Sequence, residues 1–183
     1  MSVADPSSGT VTLPSLVNAI GRLAVNTSDL TRFRTFYEGL LGLPHVITLK
    51  MGQPPFLVHA VFAVGPDTAL HVFELPGCDQ AADEFGTGSG TGRRAGIDHV
   101  ALLVDDEPAL LELRDRLVQA GASNGVVTTI GPFLSVHFRD PDGMDGEINC
   151  PHPDFAPSEV DDELLECSNP QWTENMLRRR TVD

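Results

Sequence analysis

The strongest constraint on this chain is that it repeats itself. Ala19-Ile20-Gly21-Arg22-Leu23-Ala24-Val25-Asn26 lies over Gly96-Ile97-Asp98-His99-Val100-Ala101-Leu102-Leu103. Further on, Phe62-Ala63-Val64-Gly65-Pro66-Asp67 lies over Phe138-Arg139-Asp140-Pro141-Asp142-Gly143. The two offsets differ by one residue, so a single small insertion or deletion reconciles them. One supersecondary unit is therefore used twice, and the fold is built from two copies of it.

Each copy reads strand, helix, three strands. In the first, Ile20 to Asn26 alternates as a strand, and Ser28 or Asp29 can cap a helix by accepting from its free N–H groups. Leu30, Phe33, Phe36 with Tyr37, and Leu40 with Leu41 form one apolar stripe, and Gly42 supplies a left-handed stop. Strands follow near His45 to Met51, Phe56 to Val64 and Ala69 to Leu75, with a turn at Gly65-Pro66-Asp67. In the second, His99 to Val104 is a strand and Pro108 sits in a first helical turn, where its missing N–H costs nothing. Leu110, Leu113 and Leu117 line one helix face, and Gly121 ends it. Strands near Val126 to Ile130, Phe133 to Arg139 and Asp145 to Cys150 complete the unit, with Asp140-Pro141-Asp142-Gly143 as the last turn. The expected fold is α+β: two tandem βαβββ modules forming a cupped mixed sheet with helices outside.

The modules span 19–76 and 96–150. Residues 1–18 read as a small-residue lead, and 77–95 as a Gly-rich linker. That linker lacks the GK[ST] of a phosphate loop, and no strand runs from it straight into a helix. Residues 151–183 read as an acidic tail. Cys78, Cys150 and Cys167 are an odd number with no CxxC, which argues against a disulfide framework or a zinc knuckle. The net charge of −14 repels nucleic acid and anionic membranes, whose recognition rests on Lys and Arg. No apolar run has the length of a membrane span, and the first residues lack a basic stretch followed by an apolar one, so the cytoplasm is the expected location.

The phrases LAVNTSDLTRFRTFYEGLLGL, GIDHVALLV and VHFRDPDGMDGEIN resemble the vicinal oxygen chelate superfamily, which includes glyoxalases, bleomycin-resistance proteins and extradiol dioxygenases. The resemblance covers about residues 19 to 150. It implies a cupped sheet holding a divalent metal, with ligands on the first and last strands of each module. Those positions are Arg22 and His99 on the first strands, and His71 and Glu147 on the last. His71 and Glu147 each lie nine residues after the aligned Phe62 or Phe138. His71, His99 and Glu147 would make a two-histidine, one-carboxylate set suited to Fe(II), Mn(II), Zn(II) or Ni(II). Arg22 departs from the pattern, because arginine stays protonated and cannot be a ligand. Either His71 replaces the missing histidine and Arg22 steers an anionic substrate oxygen, or the pocket is metal-free.

On the His71 strand, apolar residues fall on both parities, so a one-residue slip would present Glu74 instead. His137 lies ten residues before Glu147, where extradiol relatives carry a substrate-facing tyrosine. By alternation it shares a face with Phe133 and Ser135, and His59 aligns with Ser135. The resemblance thus implies a small-molecule ligand, with Glu147 and His137 as acid–base groups and Arg22, His59 and Phe133 as substrate contacts. The implied function is metal-dependent lyase, isomerase or dioxygenase chemistry, or alternatively metal-free sequestration of a ligand of the bleomycin-resistance kind. Pairing of the modules within one chain and exchange between two chains of a homodimer both remain open.

Overall fold

The computed structural model describes residues 20–77, 97–130 and 132–154. The lead, the linker beyond Gly77, the tail from residue 155, Cys78 and Cys167 lie outside the described residues.

Each module forms its own four-stranded mixed sheet. The first contains β1 (Arg22–Thr27), β2 (His45–Met51), β3 (Leu57–Ala63) and β4 (Ala69–Glu74), in the order β1-β4-β3-β2. The second contains β5 (Val100–Leu103), β6 (Val127–Ile130), β7 (Phe133–Arg139) and β8 (Asp145–Pro151), in the order β5-β8-β7-β6. In each, the first and last strands run parallel and the other pairs antiparallel. The repeat extends to register. Leu23 pairs with Leu70 as Val100 pairs with Gly146, and Val61 pairs with His71 as His137 pairs with Glu147.

Helix α1 (Leu30–Arg34) begins where Asp29 Oδ1 accepts the Thr31 and Arg32 N–H groups at 2.9 and 3.0 Å. These donors have no partner inside the helix, so the cap holds its first turn. Residues Thr35–Leu40 continue it as a π-helical segment, which the apolar spacing does not predict. Gly39 is a poor α-helix former, and Phe33, Phe36 and Tyr37 are all buried here, so aromatic packing offsets the departure from α geometry. Helix α2 (Glu107–Gln119) is capped by Asp106 Oδ1 on the Ala109 N–H at 2.9 Å. The stops are as expected, with Gly42 at φ +78° and Gly121 at φ +71°.

One apolar core joins the two modules on the helical side. Phe33 packs on Phe62 of its own sheet, while Phe36 reaches Phe138 of the other, both with ring centres 5.7 Å apart. Each such buried ring contributes about 1.5–3 kcal/mol relative to exposure. Polar ties cross the same boundary. Tyr37 Oη donates to Asp140 Oδ2 at 3.0 Å. Asp142 accepts from Thr27 Oγ1 at 2.7 Å, from the Ser28 N–H at 3.2 Å and from Arg32 Nη2 at 2.7 Å. Asp140 Oδ1 in turn accepts the Asp142 and Met144 N–H groups, which shapes the turn that carries both carboxylates. With Leu23, Val25, Ala60, Phe62, Leu70 and Val72 facing this core, strand alternation sends the intervening side chains to the opposite face of the sheet.

Candidate functional site

The face away from the core in the second module carries His99, Ser135, His137 and Glu147. Glu147 is buried, with its side chain only 8% exposed. Its Oε2 lies 2.8 Å from His99 Nε2. Its Oε1 accepts from Ser135 Oγ at 2.5 Å and from Asn149 Nδ2 at 3.3 Å. His99 Nδ1 lies 2.8 Å from Asp98 Oδ2, so each ring nitrogen faces a carboxylate oxygen and the ring is held between Asp98 and Glu147. His137 pairs directly with Glu147 across β7 and β8, and its ring stands edge-on to His99 at 5.7 Å and 81°. Phe133 lies further along the same face of β7, half-buried.

The equivalent face of the first module holds a second cluster. His59 Nε2 and His71 Nδ1 are 3.0 Å apart and share one hydrogen. His59 is buried and stacks flat on Phe73, with ring centres 4.6 Å apart and planes 11° apart. Burial, then the charge of His59, then that of Arg22, hold the His71 imidazole below the ordinary histidine value. Arg22 occupies the exposed edge of this face on β1. Glu74 points the other way, and its Oε1 accepts the Leu30 N–H at 3.0 Å. Of the two alternatives on this strand, Glu74 is committed to the start of α1, while His71 lies on the face away from the core.

Within one chain the structure gathers His99, His137 and Glu147 but does not bring His71 to them. Among the described residues, no three His, Cys, Asp or Glu side chains converge as a metal-binding group. The His99–Glu147 pair nevertheless has the donor chemistry of half a divalent site. An imidazole nitrogen meets a carboxylate oxygen there, and each residue is fixed by a neighbour on its other side, as metal ligands generally are. Sequence reasoning missed Asp98, Ser135 and Asn149 as supports. Chain adjacency to His99 and two-residue spacing from His137 and Glu147 were the available signals. A shallow apolar groove on the helical side is lined by Arg32, Phe36, Leu40, Ala120 and Pro141, and none of the candidate site residues borders it. Among the described residues, no helix is long and apolar enough to cross a membrane.

The model of the glyoxalase/bleomycin resistance protein/dioxygenase superfamily matches residues 19–148. Solved structures share the fold. A glyoxalase family protein from Enterococcus faecalis is 19% identical with a TM-score of 0.56, covering 74% of this chain and 99% of its own. Lactoylglutathione lyase from Agrobacterium tumefaciens is 23% identical with a TM-score of 0.51, covering 74% and 96%. The fosfomycin resistance protein FosX from Listeria monocytogenes, solved with Mn(II) and a sulfate ion, is 13% identical with a TM-score of 0.52, covering 75% and 96%. No curated protein matches the chain in sequence.

Proposed function

Because the chain belongs to the glyoxalase/bleomycin resistance protein/dioxygenase superfamily, we propose that it is a divalent-metal-dependent enzyme acting on a small molecule that presents two neighbouring oxygens. The observation that carries this reading is the His99 Nε2–Glu147 Oε2 pair at 2.8 Å, each member anchored from behind by Asp98 or Ser135. These two residues would hold Fe(II), Mn(II), Zn(II) or Ni(II), and the manganese of the Listeria relative supports an ion of this class. Such an ion supplies Lewis acidity and open positions for substrate oxygens.

The chain's own residues divide the remaining work. With Glu147 committed as a ligand, His137 is the group on this face that moves a proton to or from the substrate. Phe133 gives the substrate an apolar wall. The third ligand is His71 from a second copy of the chain, because His71 does not join His99 and Glu147 within one copy. A homodimer that exchanges module faces uses the same residues drawn from two chains. Arg22, which carries only donors, then lies against an anionic substrate oxygen.

Subunit mixing tests this arrangement. His71→Ala and Glu147→Ala proteins are each inactive and bind metal weakly; refolded together they recover part of the wild-type Mn(II) binding, because one composite site regains all its ligands. Failure of the mixture to recover binding, with dimers present, refutes the shared site. A metal-free sequestering protein is the second reading, favoured by Arg22 at a ligand position. It predicts small-molecule binding that is indifferent to chelators.

A further inference from the structure

His59 and Ser135 occupy the same place in the two modules. Register equates Ala60 on β3 with Val136 on β7, each opposite its partner on the last strand, Val72 and Ile148. The preceding residues, His59 and Ser135, therefore correspond. Each sends one polar atom to the site residue of the neighbouring last strand. His59 Nε2 meets His71 Nδ1 at 3.0 Å, and Ser135 Oγ meets Glu147 Oε1 at 2.5 Å. Both supports are fixed in turn. His59 is buried and stacked on Phe73, and Ser135 is fully buried. The repeat has thus kept a geometry, a third-strand residue bracing a last-strand residue, while changing the chemistry of both members.

We infer that His59 and Ser135 are equivalent positioning residues, which leave His71 Nε2 and Glu147 Oε2 as the atoms presented to a metal or substrate. This rests on the reading of His71 and Glu147 as ligands. In the second module the direction of the bond is unambiguous, since a carboxylate only accepts and the serine hydroxyl donates. In the first, β1 and β3 lie on opposite sides of β4; β3 carries His59, and β1 carries Arg22 two residues before Ala24, the partner of His71, near enough for its charge to bear on the His71 ring. Arg22 has only donors to offer, so the side of the His71 ring away from His59 is the one that carries a bare lone pair. The proton then sits on Nδ1 and is donated to His59 Nε2. A ring held in this tautomer needs no rearrangement to bind an ion or accept a proton, because the bond at one nitrogen sets the state of the other.

The tautomer is read directly from the ring ¹⁵N shifts of His71 in metal-free, full-length protein. The expected wild-type result is a protonated Nδ1 and an unprotonated Nε2. His59→Ala should shift the ring toward the Nε2-protonated form, and His59→Gln, whose amide oxygen can accept the same hydrogen, should restore the wild-type state. A wild-type ring protonated on Nε2, or a ring indifferent to His59→Ala, overturns the assignment. In parallel, Ser135→Ala should weaken Mn(II) binding by about 10- to 100-fold and Ser135→Thr should recover it. Equal Mn(II) affinity in wild type and Ser135→Ala overturns the second half. Absence of Mn(II) binding in wild type counts against the metal site itself, while the His71 shifts still decide the role of His59.

Discussion

Tyr37 donates its phenolic hydrogen to Asp140 across 103 residues of sequence, and this bond ties the helix of the first module to the last turn of the second. Both partners are buried, so neither can turn to water if the other is removed. Tyr37→Phe should cost about 1–3 kcal/mol, the range for stranding a buried polar partner. Urea denaturation measures it. A change near zero would mean that apolar packing alone joins the modules.

The same pair predicts how stability depends on pH. Burial is the main cause that pushes the Asp140 carboxyl above its ordinary value, against the lowering effect of hydrogen bonds from Met144 and Tyr37. An acid whose folded value is raised contributes stability that is fully present below its unfolded value, about 3.9, and is lost as pH rises through the folded value. Asp140→Asn removes this proton linkage. Wild type should therefore lose more stability than the variant as pH rises above about 4. Parallel pH curves for the two proteins would contradict the assignment. Tyr37 is also held well above its ordinary value, chiefly by burial, so its linkage adds destabilisation only at alkaline pH.

Asp142 anchors the other end of the turn. Asp142→Ala should cost about 1.5–3 kcal/mol, since it removes the buried carboxylate that accepts from both Thr27 Oγ1 and the Ser28 N–H, leaving the Thr27 hydroxyl only the longer bond to the Asp29 carbonyl. The Arg32 side chain is 42% exposed, so a double-mutant cycle with Arg32→Ala should assign the ion pair only about 1 kcal/mol or less. A coupling several times larger would show that this surface pair dominates the junction.

Gly146 tests the packing beneath the site. A Cβ at this position would overlap the Phe138 ring, and Phe138 is itself buried against Phe36. Gly146→Ala should destabilise by about 1–3 kcal/mol and disturb the adjacent Glu147. A drop in melting temperature together with weakened Mn(II) binding is the expected pair of results. An unchanged melting temperature would contradict the close approach.

Much of the fold was legible because the apolar positions repeat with the register they serve. Phe62 and Phe138 align in sequence and both face the core, and the pairings of Leu23 with Leu70 and Val100 with Gly146 follow from the same offsets. The π-helical segment was not legible, since Leu30, Phe33, Tyr37 and Leu41 fit an ordinary helix equally well. Asp140-Pro141-Asp142-Gly143 reads as a turn, but its inter-module role depends on partners more than a hundred residues away. In the candidate site, His99 and Glu147 were singled out from resemblance and repeat together, and the structure places them side by side. Strand parity left His71 and Glu74 as alternatives, and only the bond from Leu30 to Glu74 separates them. Alternation places Ser135 and His137 on one face, yet the reach of each side chain decides which braces Glu147.

The most direct test of the account is elemental analysis of untagged protein, with His99→Ala and Glu147→Ala alongside. The account predicts near-stoichiometric Fe, Mn, Zn or Ni in wild type and its loss in both variants, with the fold of each retained by circular dichroism. Wild-type protein that is empty and takes up none of these ions on titration would contradict it.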